Sequence, residues 1–511
     1  MQQTQFTFQD EQVDTHTPAQ AQHALAPLVS APEHALAWIR ACELPSGGLR
    51  VHADHPRPYP EVTGYCIPTL LEYGERDLSL RLVRWLVSVQ NADGSYTAHD
   101  SRDGAYVFDT GQALRGLLAS MDTVLEAQEA AARAADYLCS HMIDGGAGGF
   151  IERYAGVIPE SIQLYVLPPL VRAAAIFRRP EYAEMAMRCA DYYVRQPYAL
   201  RLETLTHFLG YELEALVELG RPAAAMPMLE ALRELQAPDG AVRAERGASW
   251  VCTPGLAQIA ICWYRVGLWG AADRALAWLD EHQRPKGGFL GSYGPGANYW
   301  PEHEPTWAVK FYLDAHRQRV CSYADRHAND PRVFPPTIER EDGRVRALLQ
   351  IIRPGDAVVE VGCGNGRILK ALRQVYPGLR CTGVDIASAV LATLPADMQG
   401  LQGALEAVPC PDESCDVAFS VEAIEQSANV EAALAELVRI TRPGGWVVIV
   451  GKPQSHWGWT DSLAWERWPD AEYLRLLLSL GCDDVRTAPV SVVGQPADGR
   501  LLIWRGRKRP R

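Results

Sequence analysis

Apolar residues along residues 30–320 recur at spacings of three and four, which is the pattern of amphipathic α-helices. One set of predicted helices has an almost wholly apolar body, and its segments start at Pro60, Val107, Pro159, Thr206, Cys252 and Glu304. A second set lies between them and mixes charged with apolar positions, as in 78–90, 227–236 and 272–283. The alternation predicts inner, buried helices that each pack beneath an outer, half-exposed partner.

The inner helices return at intervals of roughly 46–53 residues, which is within the range of two-helix repeats. Several outer helices end in the same way, with Gln followed by a turn that contains Gly: QNADGSY, QAPDGAV and QRPKGGF. A glycine turn at this place predicts a helix C-terminus whose last carbonyls are satisfied by the residues of the turn.

The pattern changes after about residue 341, where short β-branched runs replace the helical spacing. The segment AVVEVGCGNGRI (357–368) predicts a buried parallel strand, a glycine turn and the start of a helix. Glycines let backbone N–H groups approach a ligand closely, because no Cβ intervenes. The next strand ends in CTGVDIA (381–387), where Asp385 is placed to hydrogen-bond the ribose hydroxyls of an adenosine ligand.

Composition narrows the class of protein. A chain of 511 residues holds two or three domains, and 48% hydrophobic with 22% charged residues is ordinary for a globular protein. The net charge of −13 argues against a nucleic-acid partner. The sequence has no apolar run of membrane-spanning length and starts with a polar segment unlike an export signal, so we expect a cytoplasmic protein. The 12 scattered cysteines are expected to be buried and reduced, no metal site is predicted, and the oligomeric state stays open.

The glycine-rich segment and the predicted strands after it resemble class I S-adenosylmethionine-dependent methyltransferases. In that family LEAVPCPDESCDVAFSV (405–421) corresponds to the third and fourth strands, and LAELVRITRPGGWVVIVGK (434–452) to a helix, a turn and the fifth strand. The resemblance covers roughly residues 340–510 and implies an α/β Rossmann-like domain with a mostly parallel central sheet. The alternative is a nicotinamide-binding Rossmann domain.

The resemblance also implies which residues hold the cofactor, S-adenosylmethionine. Its methionine part would contact Glu360 and the glycine loop, which comprises Gly362, Cys363, Gly364, Asn365 and Gly366. Its ribose would be held by Asp385 beside Ile386, and its adenine would lie beside Leu405 and Glu406. The family often has an Asp near this last position, where the present chain reads GALE (403–406).

Catalytic and acceptor residues are predicted around the fourth and fifth strands. Glu422 and Glu425 are three residues apart and are expected to share one helical face that looks into the cleft. His456 is the candidate general base, with a purely structural histidine as the alternative. Trp457 and Trp459 are candidates for stacking on the acceptor; they could equally be core between two domains.

The helical repeat resembles the α/α-toroid proteins, which include terpenoid cyclases, protein prenyltransferase β-subunits and six-hairpin glycan-active enzymes. This implies a closed (α/α)6 ring, with an open helical solenoid as the alternative. The motifs D-x-D-D and D-D-x-x-D are absent, which argues against terpene chemistry. In such a ring the inner-helix N-termini meet at one end and form a pocket suited to a sugar, with these candidate substrate-binding residues: Glu61, Asp109, Glu160, His207, Trp250 and His303. For the acids, helix capping is the competing explanation.

Together these features predict four segments: a flexible stretch at 1–29, the toroid at 30–320, a linker at 321–341 and the methyltransferase domain at 342–511. The functional hypothesis is a methyltransferase that acts on a sugar or glycan intermediate of polysaccharide biosynthesis, which the toroid binds or modifies. The alternatives are methylation of a non-sugar metabolite or a protein with the toroid as scaffold, and a non-catalytic regulatory protein that binds the cofactor.

Overall fold

The computed structural model describes residues 31–97, 104–121, 123–152, 158–453, 470–492 and 500–510. The first part of the chain is helical, with twelve α-helices in its described residues: α1 Ala31–Ala41, α2 Pro60–Glu72, α3 Arg76–Val89, α4 Val107–Ala119, α5 Leu125–Ser140, α6 Leu167–Phe177, α7 Pro180–Val194, α8 Thr206–Glu218, α9 Pro222–Glu234, α10 Thr253–Arg265, α11 Trp269–His282 and α12 Thr306–His327. Two 3₁₀ segments, Ile143–Gly146 and Glu160–Val166, and a short antiparallel pair, β1 Val251–Cys252 with β2 Ser292–Tyr293, complete it. These helices match the predicted inner and outer sets.

The even-numbered helices pack against one another in chain order. Helix α2 packs on α4, α4 on α6 and the 3₁₀ segment before it, that segment on α8, α8 on α10, α10 on α12, and α12 again on α2. Glycine allows the close approach: a Cβ built at Gly64 on α2 would lie 2.3 Å from the backbone oxygen of Gln112 on α4. The series of inner helices therefore returns to its start.

The repeated glutamine links successive outer helices. The Nε2 of Gln90 donates to the backbone oxygens of Gly94 in its own turn and Ala130 in α5, at 3.1 and 2.8 Å. Gln236 makes the same pair of bonds to its turn and to α11, and Gln283 does so to its turn and to α1. The Gln-turn-Gly pattern therefore closes each helix and ties it to another outer helix, with Gln283 joining the end of the series to its beginning.

The second part of the chain is a seven-stranded sheet with helices on both faces. Its strands are β3 Ala357–Val361, β4 Arg380–Asp385, β5 Gln399–Gln402, β6 Cys415–Val421, β7 Thr441–Gly451, β8 Cys482–Val490 and β9 Leu501–Lys508. Its helices are α13 Gly343–Leu349, α14 Arg367–Val375, α15 Ser388–Leu391, α16 Val430–Ile440 and α17 Asp470–Ser479, with a 3₁₀ turn at Ile424–Gln426. The strand order is β5-β4-β3-β6-β7-β9-β8, parallel from β5 to β7, with β9 antiparallel to both of its neighbours.

This topology confirms the Rossmann-like, mostly parallel sheet and places its ligand edge. The direction in which successive strands are added reverses between β3 and β6, so a crevice opens at the carboxyl ends of these strands. One strand assignment was wrong: the third strand is β5, which precedes residue 405, and 405–421 holds only a loop and β6. The Arg-Pro-Gly-Gly segment belongs to β7, where the pairing with β6 shifts register between Cys415 and Val417.

Helix α12 connects the two parts. It runs past the predicted boundary at residue 320 and packs against α15 of the sheet part. Arg317 on α12 pairs with the buried Glu406 at 3.3 Å and donates to the backbone oxygen of Glu72 at 2.7 Å. A buried arginine–carboxylate pair therefore spans the junction between the two parts. In the described residues no helix is both long enough and apolar enough to cross a membrane.

Candidate functional site

A cavity of about 430 Å³ lies at the carboxyl ends of β3, β4 and β6. Its floor is formed by the glycine loop and the ends of these strands. Its other wall comes from the C-terminal half of α12 and the segment after it, with these residues: Arg317, Val320, Tyr323, Ala324, Arg332, Val333 and Phe334. The cavity therefore lies at the junction of the helical part and the sheet part.

The glycine loop adopts a backbone that glycine alone accepts readily. Gly362, Gly364 and Gly366 have φ angles of +77°, +52° and +71°. A Cβ at Gly362 would lie 2.4 Å from the Cβ of Ala423. Gly366 does not line the cavity. A Cβ there would lie 2.3 Å from Leu394 Cδ2, so this glycine lets the start of α14 approach the segment between α15 and β5.

Glu360 is the buried acid at the base of this loop. Its side chain is 2% exposed, and its Oε2 has no hydrogen-bond partner among the described residues. Burial raises the pKa of Glu360 well above its usual range, Arg367 offsets this in part, and Asp385 adds to it. A buried acceptor without a donor, facing a cavity, is the environment that a ligand donor would complete.

Asp385 lies at the end of β4 and fixes two loops. Its carboxylate accepts hydrogen bonds from the backbone N–H groups of Gly364, at 2.9 Å, and Ala387, at 3.0 Å. Burial raises its pKa, and these N–H donors counter the effect. A carboxylate offers about four lone-pair sites, so Asp385 keeps capacity to accept from a ligand hydroxyl. Asp385 therefore lines the cavity and also holds the glycine loop in place.

Some, but not all, of the residues predicted to lie beside the adenine line the cavity. Ile386 and Leu405 line the cavity, together with Gly403 and Ala404. Glu406 is not among the described lining residues, and its carboxylate has other partners. It accepts from Ser427 Oγ and from the Ala428 N–H, both at 2.8 Å, and pairs with Arg317. The structure thus gives Glu406 a role at the junction between the two parts.

Glu422 and Glu425 both line the cavity, but they do not lie on one helical face. Glu422 follows β6 with a φ of +52°, and Glu425 lies on the 3₁₀ turn. Glu422 is held by Arg344 at 2.5 Å and lies 3.8 Å from Arg367. The carboxylate of Glu422 is thus held by an arginine of α13 at the edge of the cavity.

Several lining residues were missed at the sequence level. The Phe334 ring lies over the loop, 3.0 Å from a Cβ built at Gly364. Asn365 Nδ2 donates to the backbone oxygens of Phe334 and Pro335, at 3.1 and 3.0 Å. The Pro-rich composition of the segment that contains Phe334 and Pro335 indicated a segment that covers the cofactor. Nothing in the α12 sequence indicates that Arg317 or Tyr323 lines the cavity. His456, Trp457 and Trp459 lie outside the described residues.

The candidate sugar-binding residues of the helical part differ in position and burial. Glu61, Asp109 and Glu160 lie in the first turns of α2, α4 and the 3₁₀ segment, as predicted.

The remaining candidates differ in their surroundings. His207 is buried with its Nδ1 2.6 Å from Gln258 Oε1, and burial lowers its pKa to about 3. Trp250 is buried against Ala244 and Cys252. His303 lies in a loop at the N-terminal end of α12, with its ring 4.4 Å from that of His52.

Comparison with known proteins bears on the sheet part. Residues 359–449 match the family model described as a methyltransferase domain. The chain is 37% identical over 114 residues to the malonyl-[acyl-carrier protein] O-methyltransferase of Serratia marcescens, which is 22% of this chain and 44% of that protein. It is 34% identical over 107 residues to a phthiotriol/phenolphthiotriol dimycocerosates methyltransferase of Mycobacterium tuberculosis, which is 20% of this chain and 39% of that protein. The chain thus spans less than half the length of these curated relatives.

Among solved structures, the chain matches one from the complex that contains the Haloferax volcanii Trm112 methyltransferase activator. The identity is 26%, the TM-score is 0.32, and the match covers 36% of this chain and 97% of that one. The match over residues 359–449 contains Glu360, the glycine loop and Asp385, so the residues that build the cavity floor lie within the matched range. This part of the chain is a methyltransferase domain, and S-adenosylmethionine is the cofactor that the match indicates.

Proposed function

We propose that the protein transfers a methyl group from S-adenosylmethionine to a small-molecule acceptor, with the cofactor held in the cavity at the junction of its two parts. The observation that carries the proposal is Glu360, a buried acid with an unpartnered oxygen, beside a glycine loop and Asp385. These groups fit the cofactor: it brings a cationic ammonium and sulfonium, two ribose hydroxyls and a flat adenine ring. When bound it supplies a methyl carbon that is already activated for displacement.

In this proposal each part of the cavity has one task. Glu360 receives the ammonium of the methionine part, the glycine loop lets that part approach the backbone, and Asp385 accepts from the ribose hydroxyls. Ile386 and Leu405 cover the adenine. Phe334 and α12 exclude water from the other side, because their side chains line the opposite wall.

The acceptor is proposed to be a sugar or glycan intermediate, and the helical part to be an (α/α)6 toroid that binds or modifies it. The support for the toroid is the closed packing order of the inner helices and the Gln283 bond back to α1. The support for a sugar is the group of half-buried aromatic residues at the N-terminal end of the ring: Tyr293, Tyr299 and Trp300. An acceptor oxygen that is already acidic, such as a sugar carboxylate, would need no general base.

The test is titration calorimetry of the full chain with S-adenosylmethionine and S-adenosylhomocysteine. We expect micromolar binding of both. Asp385→Ala should weaken it roughly 100-fold or more, since hydrogen bonds to a charged group are each worth about 1.5–3 kcal/mol. Asp416→Ala is the matched control, because Asp416 also accepts a backbone N–H, that of Ala357 at 2.8 Å, but at the opposite end of the sheet.

Two further outcomes separate the parts of the proposal. Absence of binding at millimolar cofactor would overturn the methyltransferase assignment. Binding without turnover on a panel of sugars, sugar acids and acyl carboxylates would retain the cofactor site and favour the regulatory alternative.

A further inference from the structure

A cluster of metal-ligating side chains lies in the helical part, far along the chain from the glycine loop. One ligand atom from each of His52, Asp54 and His303 lies within 4.8 Å of the others. We propose that these three residues bind a divalent transition-metal ion at the N-terminal end of the ring of inner helices.

The two segments that supply the ligands are joined by backbone bonds. His52 forms a β-bridge with Pro305, and Thr306 donates from its N–H to the backbone oxygen of Val51 at 2.8 Å. The Thr306 hydroxyl donates to the backbone oxygen of Arg50 at 2.6 Å. These contacts hold the segment that carries His52 and Asp54 against the one that carries His303 at the start of α12.

The loop that carries His303 is also fixed from its other side. The Gly291 N–H is shared between the backbone oxygens of Trp300, at 3.0 Å, and His303, at 3.1 Å. A Cβ at Gly291 would lie 2.6 Å from that of Trp300, so only glycine permits this approach. Because the backbone positions are set by these bonds, the ligands need only side-chain adjustment to meet an ion.

A second observation points to a ligand at the cluster. The Nδ1 of His52 is buried and has no hydrogen-bond partner among the described residues. Buried ring nitrogens normally find a partner, and a metal ion is one that neutral imidazole accepts. The Trp300 ring lies 5.5 Å from that of His52 and 5.8 Å from that of His303, and so covers one side of the pair.

The ligand set selects the class of ion. Two imidazoles and one carboxylate suit Zn²⁺, Co²⁺, Mn²⁺ or Fe²⁺, whereas Ca²⁺ and Mg²⁺ prefer oxygen ligands throughout. Metal–ligand bonds of about 2.0–2.2 Å would bring the three atoms somewhat closer together than they lie here. Three protein ligands leave room for water or for an oxygen of a bound molecule. A metal site here would therefore offer a Lewis acid next to Trp300, outside the methyltransferase domain.

The experiment is calorimetric titration of the metal-depleted full chain with ZnCl₂, paired with absorption spectra after addition of CoCl₂. We expect one ion per chain and a cobalt spectrum without the strong thiolate charge-transfer bands that cysteine ligands give. Asp54→Asn and His303→Gln should each weaken Zn²⁺ binding more than about tenfold. His141→Gln is the control, since His141 is a histidine of the same domain that contacts Tyr137 instead.

The outcomes decide the proposal. Asp54 is exposed, so its variant is expected to fold, and an unchanged zinc affinity in both variants would overturn the site. Thiolate bands in the cobalt spectrum, or no binding at millimolar zinc, would do the same. Cofactor binding is measured in parallel: it should be unchanged in these variants, which separates failure of the metal site from failure of the methyltransferase proposal.

Discussion

The ring interior and the cofactor cavity each bury a carboxylate, Glu218 and Glu360, and the pKa values of these two acids shift in opposite directions. In the ring, burial alone would raise the pKa of Glu218, but Arg115 and Arg265, at 2.9 and 3.3 Å, outweigh it and lower that pKa. In the cavity, burial raises the pKa of Glu360, and Arg367 offsets this only in part. Glu218 in the ring thus has its own cations, whereas Glu360 in the cavity is incompletely compensated.

This difference distinguishes a structural network from a binding site. A carboxylate that its own arginines neutralise gains nothing from an external cation, and removing one partner destabilises the fold. A carboxylate whose pKa is raised by burial in a cavity is stabilised in its ionised form when a cationic ligand binds beside it. Changes to titrating groups in the ring are therefore expected to alter stability, and changes in the cavity to alter affinity.

The largest expected effect is on acid stability, through His207. Its pKa in the folded protein is about 3 against an ordinary 6.5, because burial disfavours the charged ring. A lowered folded pKa gives stability that is complete above pH 6.5 and is lost as the pH falls towards 3, a loss of about 5 kcal/mol. His207→Asn keeps a group able to meet Gln258 and does not titrate. Urea unfolding at several pH values should show a steeper loss in the wild type than in the variant, and parallel curves would contradict the assignment.

The second effect concerns the junction between the two regions. Glu406 is completely buried, so Arg317→Met would leave its carboxylate without a cation and cost about 3–5 kcal/mol of stability. The double variant Arg317→Met/Glu406→Gln should recover part of this loss, because no buried charge then remains unpaired. Thermal unfolding measures both. Arg317 also lines the cavity, so cofactor affinity should fall in the single variant; an unchanged affinity would show that the two regions are independent.

The methyltransferase fold was predictable because its signals are local. The glycine loop, the strand before it and Asp385 follow one another within a short stretch, and their residue types leave few alternative conformations. The third strand was misplaced because Gln399–Gln402 is short and polar, and its strand character comes from pairing with β4. In this segment the pairing with a neighbouring strand, and not the local sequence preference, determined the strand conformation, as it does for many edge strands.

The rest of the site depends on contacts that sequence spacing does not encode. Glu422 and Glu425 have helical spacing, yet the positive φ at Glu422 separates their directions. Arg317 reaches the cavity from the middle of α12, where it pairs with Glu406 of the sheet part. In the helical part, the repeat predicted the helices well, but it could not show that His207 and Trp250 would be buried.

A third test uses Glu212, a buried acid of the ring. Its contribution to stability is lost as the pH rises, whereas that of His207 is lost as the pH falls. Burial raises the pKa of Glu212 to about 7 from an ordinary 4.5, while hydrogen bonds from Ser161 Oγ and the Leu200 N–H oppose the shift. A raised folded pKa gives stability that is complete below pH 4.5 and is lost as the pH rises to about 7, by about 3 kcal/mol. Glu212→Gln should therefore have a flatter stability profile across this interval. Cofactor affinity serves as the control and should be the same in the variant and the wild type. A changed affinity would show that Glu212 acts on the cofactor cavity and not only on the stability of the ring.

The smallest expected effect, and the one that tests the cavity most directly, is Glu360→Gln. The amide keeps the size of the side chain but cannot ionise, so the affinity for S-adenosylmethionine should fall roughly tenfold, the value of about one charged hydrogen bond. Because the pKa of Glu360 is raised in the free protein, binding of a cationic amino group should release a proton, and wild-type affinity should increase with pH. The variant should lack this dependence. Calorimetry in buffers of different ionisation enthalpy measures the released proton. Equal proton release by wild type and variant would show that Glu360 is compensated within the protein, as Glu218 is in the ring.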